Sequence, residues 1–279
     1  MSWHFSVSTM FWHLRTNHHV IDGAEEIKVV LSNNKQFDAS LVGSDPASDL
    51  AVLKVSGHDL PVLPLGDSDK VRVGDIALAI GSPLGLPQTV TAGIISAKGR
   101  HTGVSDGSFE DFLQTDAPIN QGNSGGALIN TNAALVGINS QILSPSGGNI
   151  GIGFAIPSNM ARNVMEQLIA RGSVRRGRLG IAIQEITDEI ARKLGLSEVR
   201  GVFVKQVESG GPADRAGVRQ GDAILAFNGT AVNDGNSLRN HVAATEPGTE
   251  VTLTVFRDGH EQQVRVKLGE FIPASENGG

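Results

Sequence analysis

The residue pattern in this chain best suited to covalent chemistry is a serine set among glycines. Ser124 lies in "QTDAPINQGNSGGALIN" (114–130), behind Gly122 and Asn123 and ahead of two further glycines. A hydroxyl is a poor nucleophile until a base takes its proton and hydrogen-bond donors receive the oxyanion it creates. Glycines suit the second need, because a backbone without Cβ atoms can turn sharply and aim successive N–H groups, here those of Gly122 and Ser124, at one point. Gly-Ser clusters also make ordinary hairpin loops, so the pattern points to catalysis only if a base and an orienting carboxylate accompany it.

Two adjacent histidines, His18 and His19, stand in "TNHHVIDGA", which reads as a strand running into a helical turn. His58, His101 and His260 sit in turn-like polar contexts, and His241 belongs to a later unit. Among carboxylates, Asp49 in "GSDPASDLAVLKV" directly precedes an alternating strand expected to be half buried. A buried carboxylate needs a partner, and an imidazole supplies one. Asp45 precedes Pro46 and reads as a turn residue. The chain order His…Asp…Ser is that of chymotrypsin-like barrels, not of subtilisin or α/β-hydrolase folds.

These side chains need a β-rich scaffold. From Ile27 to about Ile156 short runs such as "EIKVVLS", "DLAVLKV", "TVTAGIISA" and "GIGFAIP" alternate apolar and polar residues. Turn residues punctuate them about every 8–12 positions, the pattern of an all-β barrel or sandwich. After Pro157 the period becomes helical: Ser158 is placed to cap a helix that carries Met160, Ala161, Val164, Met165, Leu168 and Ile169 on one face and ends at Gly172. The basic stretch "RGSVRRGR" (171–178) reads as a linker. A second unit follows, with short strands, helical patterns in "GPADRAGV" and "NSLRNHVAA", and hairpin signals at Asn228-Gly229 and Asp258-Gly259. The closing "PASENGG" is polar and expected to be disordered.

Composition narrows the remaining classes. The 279 residues include 35 glycines, in keeping with many tight turns, and no cysteine, which excludes disulfides, thiolate metal sites and thiol nucleophiles. The formal net charge of -6 gives no electrostatic support to a nucleic-acid partner. No run of about 18 apolar residues is present to span a membrane. The first 15 residues lack the features of a signal peptide. Nothing calls for a metal or another cofactor.

The stretches "TNHHVIDGAEEIKVVLSNNKQFDASLVGSDPASDLAVLKV" and "GNSGGALIN" resemble the HtrA (Deg) serine endoproteases of bacteria, of the DegQ/DegP type, from about Thr16 to about Glu270. The resemblance implies a mostly β fold: a chymotrypsin-like double β-barrel over 1–170, a linker over 171–177, a PDZ domain over 178–270 and a tail over 271–279. In the family's "TN-x-HV" motif the base is the His before Val, so the resemblance implies His19 as base, Asp49 as its carboxylate and Ser124 as nucleophile, with Gly122 and Ser124 supplying the oxyanion-hole amides. It implies that "RLGIAI" (178–183) holds a peptide's terminal carboxylate at Leu179, Gly180 and Ile181, by β-augmentation, while Leu238 and Val242 line the side-chain groove. Near the expected specificity pocket the residues are small and apolar (Ile138, Ile152, Ala155 and Ile156), which fits cleavage after Val, Ala or Ile. Unfolded polypeptides and peptide C-termini are the implied partners, assembly into trimers or higher oligomers the implied state, and the periplasm the implied location.

Three departures from the pattern stand out. Only 18 residues precede His19, and of these Phe5, Phe11 and Trp12 suit one strand, so the first barrel is expected to be incomplete. Arg15 stands where the family has an apolar residue. The chain carries one PDZ-like unit where DegP and DegQ carry two. These features set a second expectation beside the protease: a proteolytically weak or silent peptide-binding, chaperone-like protein.

Overall fold

A computed structural model describes residues 7–8, 13–57, 60–82, 89–103, 109–142 and 149–272. The chain divides into two compact units, Met1–Val174 and Arg175–Gly279.

In the first unit, a five-stranded sheet comes first, built from β1 (Val7–Ser8), β2 (His13–Thr16), β3 (Ile27–Val30), β4 (Gln36–Asp45) and β5 (Leu50–Val55) in the order β1-β2-β5-β4-β3. The sheet is open among the described residues. The N-terminal segment supplies two short strands where the sequence suggested one; Phe5, Phe11 and Trp12 lie outside the described residues. A four-residue helix α1 (His18–Ile21) follows β2. The expectation that β5 alternates is corrected: Leu50, Ala51, Val52 and Leu53 are all buried. β5 is the central strand, so one face meets the sheet's own core (Leu14, Ile21, Val29, Leu53) and the other meets the cluster described next. A continuous apolar run is what a strand covered on both faces requires.

β6 (Ile76–Gly81), β7 (Thr89–Arg100), β8 (Phe112–Thr115), β9 (Ala127–Asn130), β10 (Leu135–Ile142) and β11 (Gly153–Pro157) close into a barrel. The helix α2 (Ser158–Arg171) leaves β11 and seals a cluster between sheet and barrel, where Leu50 and Val52 meet Phe112, Ile138, Phe154, Ile156, Val164, Met165 and Leu168. At about 1.5–3 kcal/mol for each such side chain fully buried, this cluster is a principal bond between the two lobes. Gly172 ends the helix in the left-handed region, as expected. Two details are corrected. Ser158 makes no cap bond; Pro157 holds the N-cap position and Ser158 Oγ donates to the Gly66 carbonyl at 2.9 Å. Ile169 is exposed and does not join the apolar face.

The second unit pairs β12 (Gly177–Arg178) with β19 (Gly269–Glu270) and forms a sheet from β13 (Ile181–Glu185), β14 (Val202–Val207), β15 (Ala223–Phe227), β17 (Glu250–Arg257) and β18 (His260–Lys267), with β16 (Thr230–Ala231) on β15. Asn228-Gly229 and Asp258-Gly259 turn the β15–β16 and β17–β18 hairpins with positive φ at both residues, the geometry that selects these dipeptides. Three helices pack alongside: α3 (Asp188–Leu194), α4 (Pro212–Ala216) and α5 (Gly235–Ala244). The sequence reading missed α3, although Thr187 caps its start and Gly195 its end. The last described residues are Phe271 and Ile272; the rest of the expected tail lies outside them.

Candidate active site

Asp49 owes its position to backbone geometry. Asp45 caps the 3-10 turn Pro46–Ser48, its carboxylate accepting from the Ser48 amide, and Asp49 ends that turn in the left-handed region at φ 55°. The burial expected of Asp49 falls instead on Asp45, which is 6% exposed, while the Asp49 side chain keeps 28% of its surface. Opposite stands the end of β2, where Thr16 pairs with Ala51. One step beyond, the Asn17 side-chain amide and the His18 amide both donate to the Asp49 carbonyl, at 3.0 and 3.1 Å.

His19 therefore meets Asp49 directly. Its amide donates to Oδ1 at 3.0 Å, and its Nδ1 lies 2.9 Å from Oδ1 and 2.8 Å from Oδ2. A carboxylate only accepts, so the ring proton sits on Nδ1 and the lone pair on Nε2, the tautomer a general base requires. The imidazole is half exposed, which leaves Nε2 accessible. His18 does not share this geometry: its Nε2 is 4.0 Å from Asp22.

Ser124 is held by the glycine turn. Gly122 and Gly125 both take positive φ, and a Cβ at Gly125 would collide with Thr16 Oγ1. The turn is pinned by Gly125 N–H donating to the Asn139 carbonyl (2.8 Å) and Asn139 N–H to the Gly126 carbonyl (2.9 Å). Among the described residues, neither the Gly122 nor the Ser124 amide has a protein acceptor. Unpaired amides of this kind are what a developing oxyanion needs. The Ser124 hydroxyl donates to the Ser140 carbonyl at 2.8 Å and makes no bond to His19.

Ser140 was not anticipated. It falls at a β-bulge in β10, where Asn139 pairs with Ala155 and Gln141 with Phe154, leaving Ser140 between them. A bulge re-aims the extra residue. Here Ser140 Oγ donates to Asp49 Oδ2 at 3.0 Å while its carbonyl receives Ser124, so one residue touches both side chains. The sequence signal was the polar triplet Asn139-Ser140-Gln141 inside an apolar strand. A cleft of about 450 Å³ opens beside the pair, lined among others by His18, His19, Asp49, Phe109, Glu110 and Gln141.

The four residues expected near a specificity pocket divide between two clusters, with Ile156 placed alongside Ile138 and Ile152. Ile138 and Ile152 pack in the cluster with α2, and Ala155 points into the barrel interior. Beyond the bulge it is Ile142 that joins Ile119 on the interior side. In the second unit, Gly180 takes φ 75° in the Leu179–Ile181 turn, and β13 has one free edge among the described residues. Leu238 and Val242 are 2% and 7% exposed and belong to the core, and Ile181 and Ile183 pack against that same cluster. No group of three or more metal-binding side chains occurs among the described residues.

The trypsin-like peptidase domain profile matches residues 5–138, beginning upstream of the Thr16 at which the sequence resemblance was placed, and the PDZ domain profile matches 177–268. The chain is 49% identical over 261 residues to the periplasmic pH-dependent serine endoprotease DegQ of Escherichia coli, covering 93% of this chain and 57% of that protein. It is 48% identical over 254 residues to a probable periplasmic serine protease, do/HhoA-like, of Haemophilus influenzae, covering 91% and 54%. The chain thus spans about half the length of the curated relatives it matches. Among solved structures, the HtrA-type protease AlgW with a tripeptide superposes with a TM-score of 0.81 at 46% identity, over 97% of this chain and 89% of that one.

Proposed function

Since the chain belongs to the HtrA family of serine proteases, we propose that it is a serine endopeptidase that hydrolyses unfolded polypeptides in the periplasm. The observation that carries this reading is the His19–Asp49 pair, its Nδ1–H committed to the carboxylate and its Nε2 open, beside a serine on a glycine turn. In the reaction the Ser124 hydroxyl turns from the Ser140 carbonyl to His19 Nε2 and gives up its proton as Oγ attacks the scissile carbonyl. The Gly122 and Ser124 amides receive the oxyanion. The imidazolium, stabilised by Asp49, then protonates the leaving amine, and water hydrolyses the acyl-enzyme by the same steps.

Cleavage after small or medium aliphatic residues is the preference that the apolar sequence around Ser140 suggests, with Ile142 the partly buried apolar side chain beyond the bulge. The PDZ unit binds peptide C-termini, with the terminal carboxylate at Leu179, Gly180 and Ile181 and the peptide adding to the free edge of β13 beside Leu238 and Val242. The related HtrA-type protease AlgW has been solved with a tripeptide. Assembly into trimers is carried over from the family. The test is a fluorophosphonate probe on the intact chain, with hydrolysis of an unfolded protein measured in parallel. Labelling that disappears in Ser124→Ala supports the protease. An unlabelled chain that still binds C-terminal peptides would leave the peptide-binding, chaperone-like reading in its place.

A further inference from the structure

Resting on the protease reading, we propose that Glu110 is a positioning residue for the catalytic pair, acting through Thr102 and Gln141 on the Ser140 bulge. Ser140 is the hinge of the site, because its hydroxyl orients Asp49 and its carbonyl parks Ser124. A bulged residue lacks the ladder bonds that fix its neighbours, so its direction depends on what holds the residues on either side.

Upstream, Asn139 is fully buried and its side-chain amide donates to the Ile80 and Ala127 carbonyls, both at 3.2 Å. Downstream, Gln141 Nε2 donates to Thr102 Oγ1 at 3.1 Å. Thr102 is in turn fixed by Glu110. The Glu110 carboxylate is 6% exposed and receives the amides of Thr102 (2.6 Å) and Gly103 (3.3 Å), the Thr102 hydroxyl (3.0 and 3.1 Å) and His101 Nδ1 (2.9 Å). Thr102 has one hydroxyl proton. With that proton on Glu110, its oxygen lone pair faces Gln141, so the polarity of the relay is set by the carboxylate. The neighbouring Phe109 amide donates to the Ala47 carbonyl at 2.8 Å, which ties the same segment to the turn that ends at Asp49. The bonds shown for Glu110 go to the 101–103 segment, and its side chain also lines the cleft beside His19 and Asp49.

Three variants of the intact chain test this. Thr102→Val removes the acceptor for Gln141 but keeps the amide bond to Glu110; Thr102→Ser restores the acceptor. Glu110→Gln keeps the shape and presents an N–H where Thr102 must donate. With an unfolded-protein substrate, Thr102→Val and Glu110→Gln are expected to lower kcat at least tenfold with KM within threefold, since an ångström of misplacement can cost about 100-fold. Thr102→Ser should stay within threefold of the parent. The proton NMR signal of His19 Nδ1–H gives a second readout that needs no turnover: it should shift or broaden in Thr102→Val and Glu110→Gln and persist in Thr102→Ser. Unchanged kcat and an unchanged His19 signal in folded Thr102→Val and Glu110→Gln would overturn the proposal. Were the parent itself to hydrolyse nothing, the protease reading would fail, and the NMR comparison would still decide the positioning claim.

Discussion

Arg15→Met should stabilise the first unit substantially. Arg15 lies on β2 with only 2% of its surface exposed. Its Nε donates to Met165 Sδ at 2.9 Å, a weak acceptor, and both terminal nitrogens are buried without a partner among the described residues. Burial, aided by the like charge of Arg162 and only partly opposed by Glu166, lowers the guanidinium pKa to about 10. A fall of between two and three powers of ten in proton affinity corresponds to roughly 3 kcal/mol against the folded state. The sign is that of a base depressed on folding: the penalty is present in full at every pH below about 10 and is relieved only as pH rises through that value. Methionine keeps the length of the side chain and removes the charge, and replacing a buried ion by a well-packed apolar group is often stabilising by about 1–4 kcal/mol. For a unit of this size about 3 kcal/mol raises Tm by roughly 6–12 °C. Calorimetry of the intact chain should show the first-unit transition moving up by that amount, with the gain flat between pH 6 and 9. Arg15→Lys should give no comparable gain, because an ammonium is at least as costly to dehydrate. A Tm for Arg15→Met equal to or below the parent's would refute the reasoning.

Other perturbations read other parts of the structure. Asp222 is 1% exposed and takes a bidentate pair from Arg257 at 2.6 and 2.7 Å, so Asp222→Ala, which strands the guanidinium, should destabilise the second unit by about 3–5 kcal/mol in a denaturant titration. Ser140→Ala removes the hydroxyl from Asp49 but keeps the carbonyl, and should slow fluorophosphonate labelling of Ser124 roughly tenfold with little change in Tm. Gly125→Ala sets a side chain at φ 81° against Thr16 and should abolish labelling. Labelling at the parent rate would show that the glycine turn is not needed in this form.

Legibility in the sequence followed how locally each feature is determined. Asn228-Gly229 and Asp258-Gly259 named their hairpins because positive φ at both positions is demanded by the turn itself. Gly172 marked the end of α2 for the same reason. The choice between His18 and His19 was not local; both stand on the same helical turn, and motif resemblance separated them. Asp49 was read as the buried carboxylate, whereas burial falls on Asp45, whose side chain folds back on the Ser48 amide. Ile138 was read as a pocket residue for a similar reason: residue type marks a position as apolar, but not which cluster receives it. Ser140, Glu110 and Thr102 carried no signal as a group, since what unites them is a bulge and a fold-back rather than any spacing.

The first sheet, open among the described residues, bears on how much scaffold the His19–Asp49 pair needs. An incomplete barrel would undo the pair if barrel closure were what held it. The contacts show a different support. Antiparallel pairing of β2 with β5 runs Leu14 with Leu53, Arg15 with Val52 and Thr16 with Ala51, so continuing the register brings His18 opposite Asp49 without any other strand. The His18 amide on the Asp49 carbonyl is the next rung of that ladder, and the His19 amide on Asp49 Oδ1 follows one residue later. β5 is also the strand buried on both faces, flanked by β2 and β4, and therefore the least able to fray. The pair thus depends on one central hairpin-like junction and on the cluster with α2, not on the sheet edges at β1 and β3. Arg15 lies within that junction, which is why relieving its burial cost should firm the base and the carboxylate together.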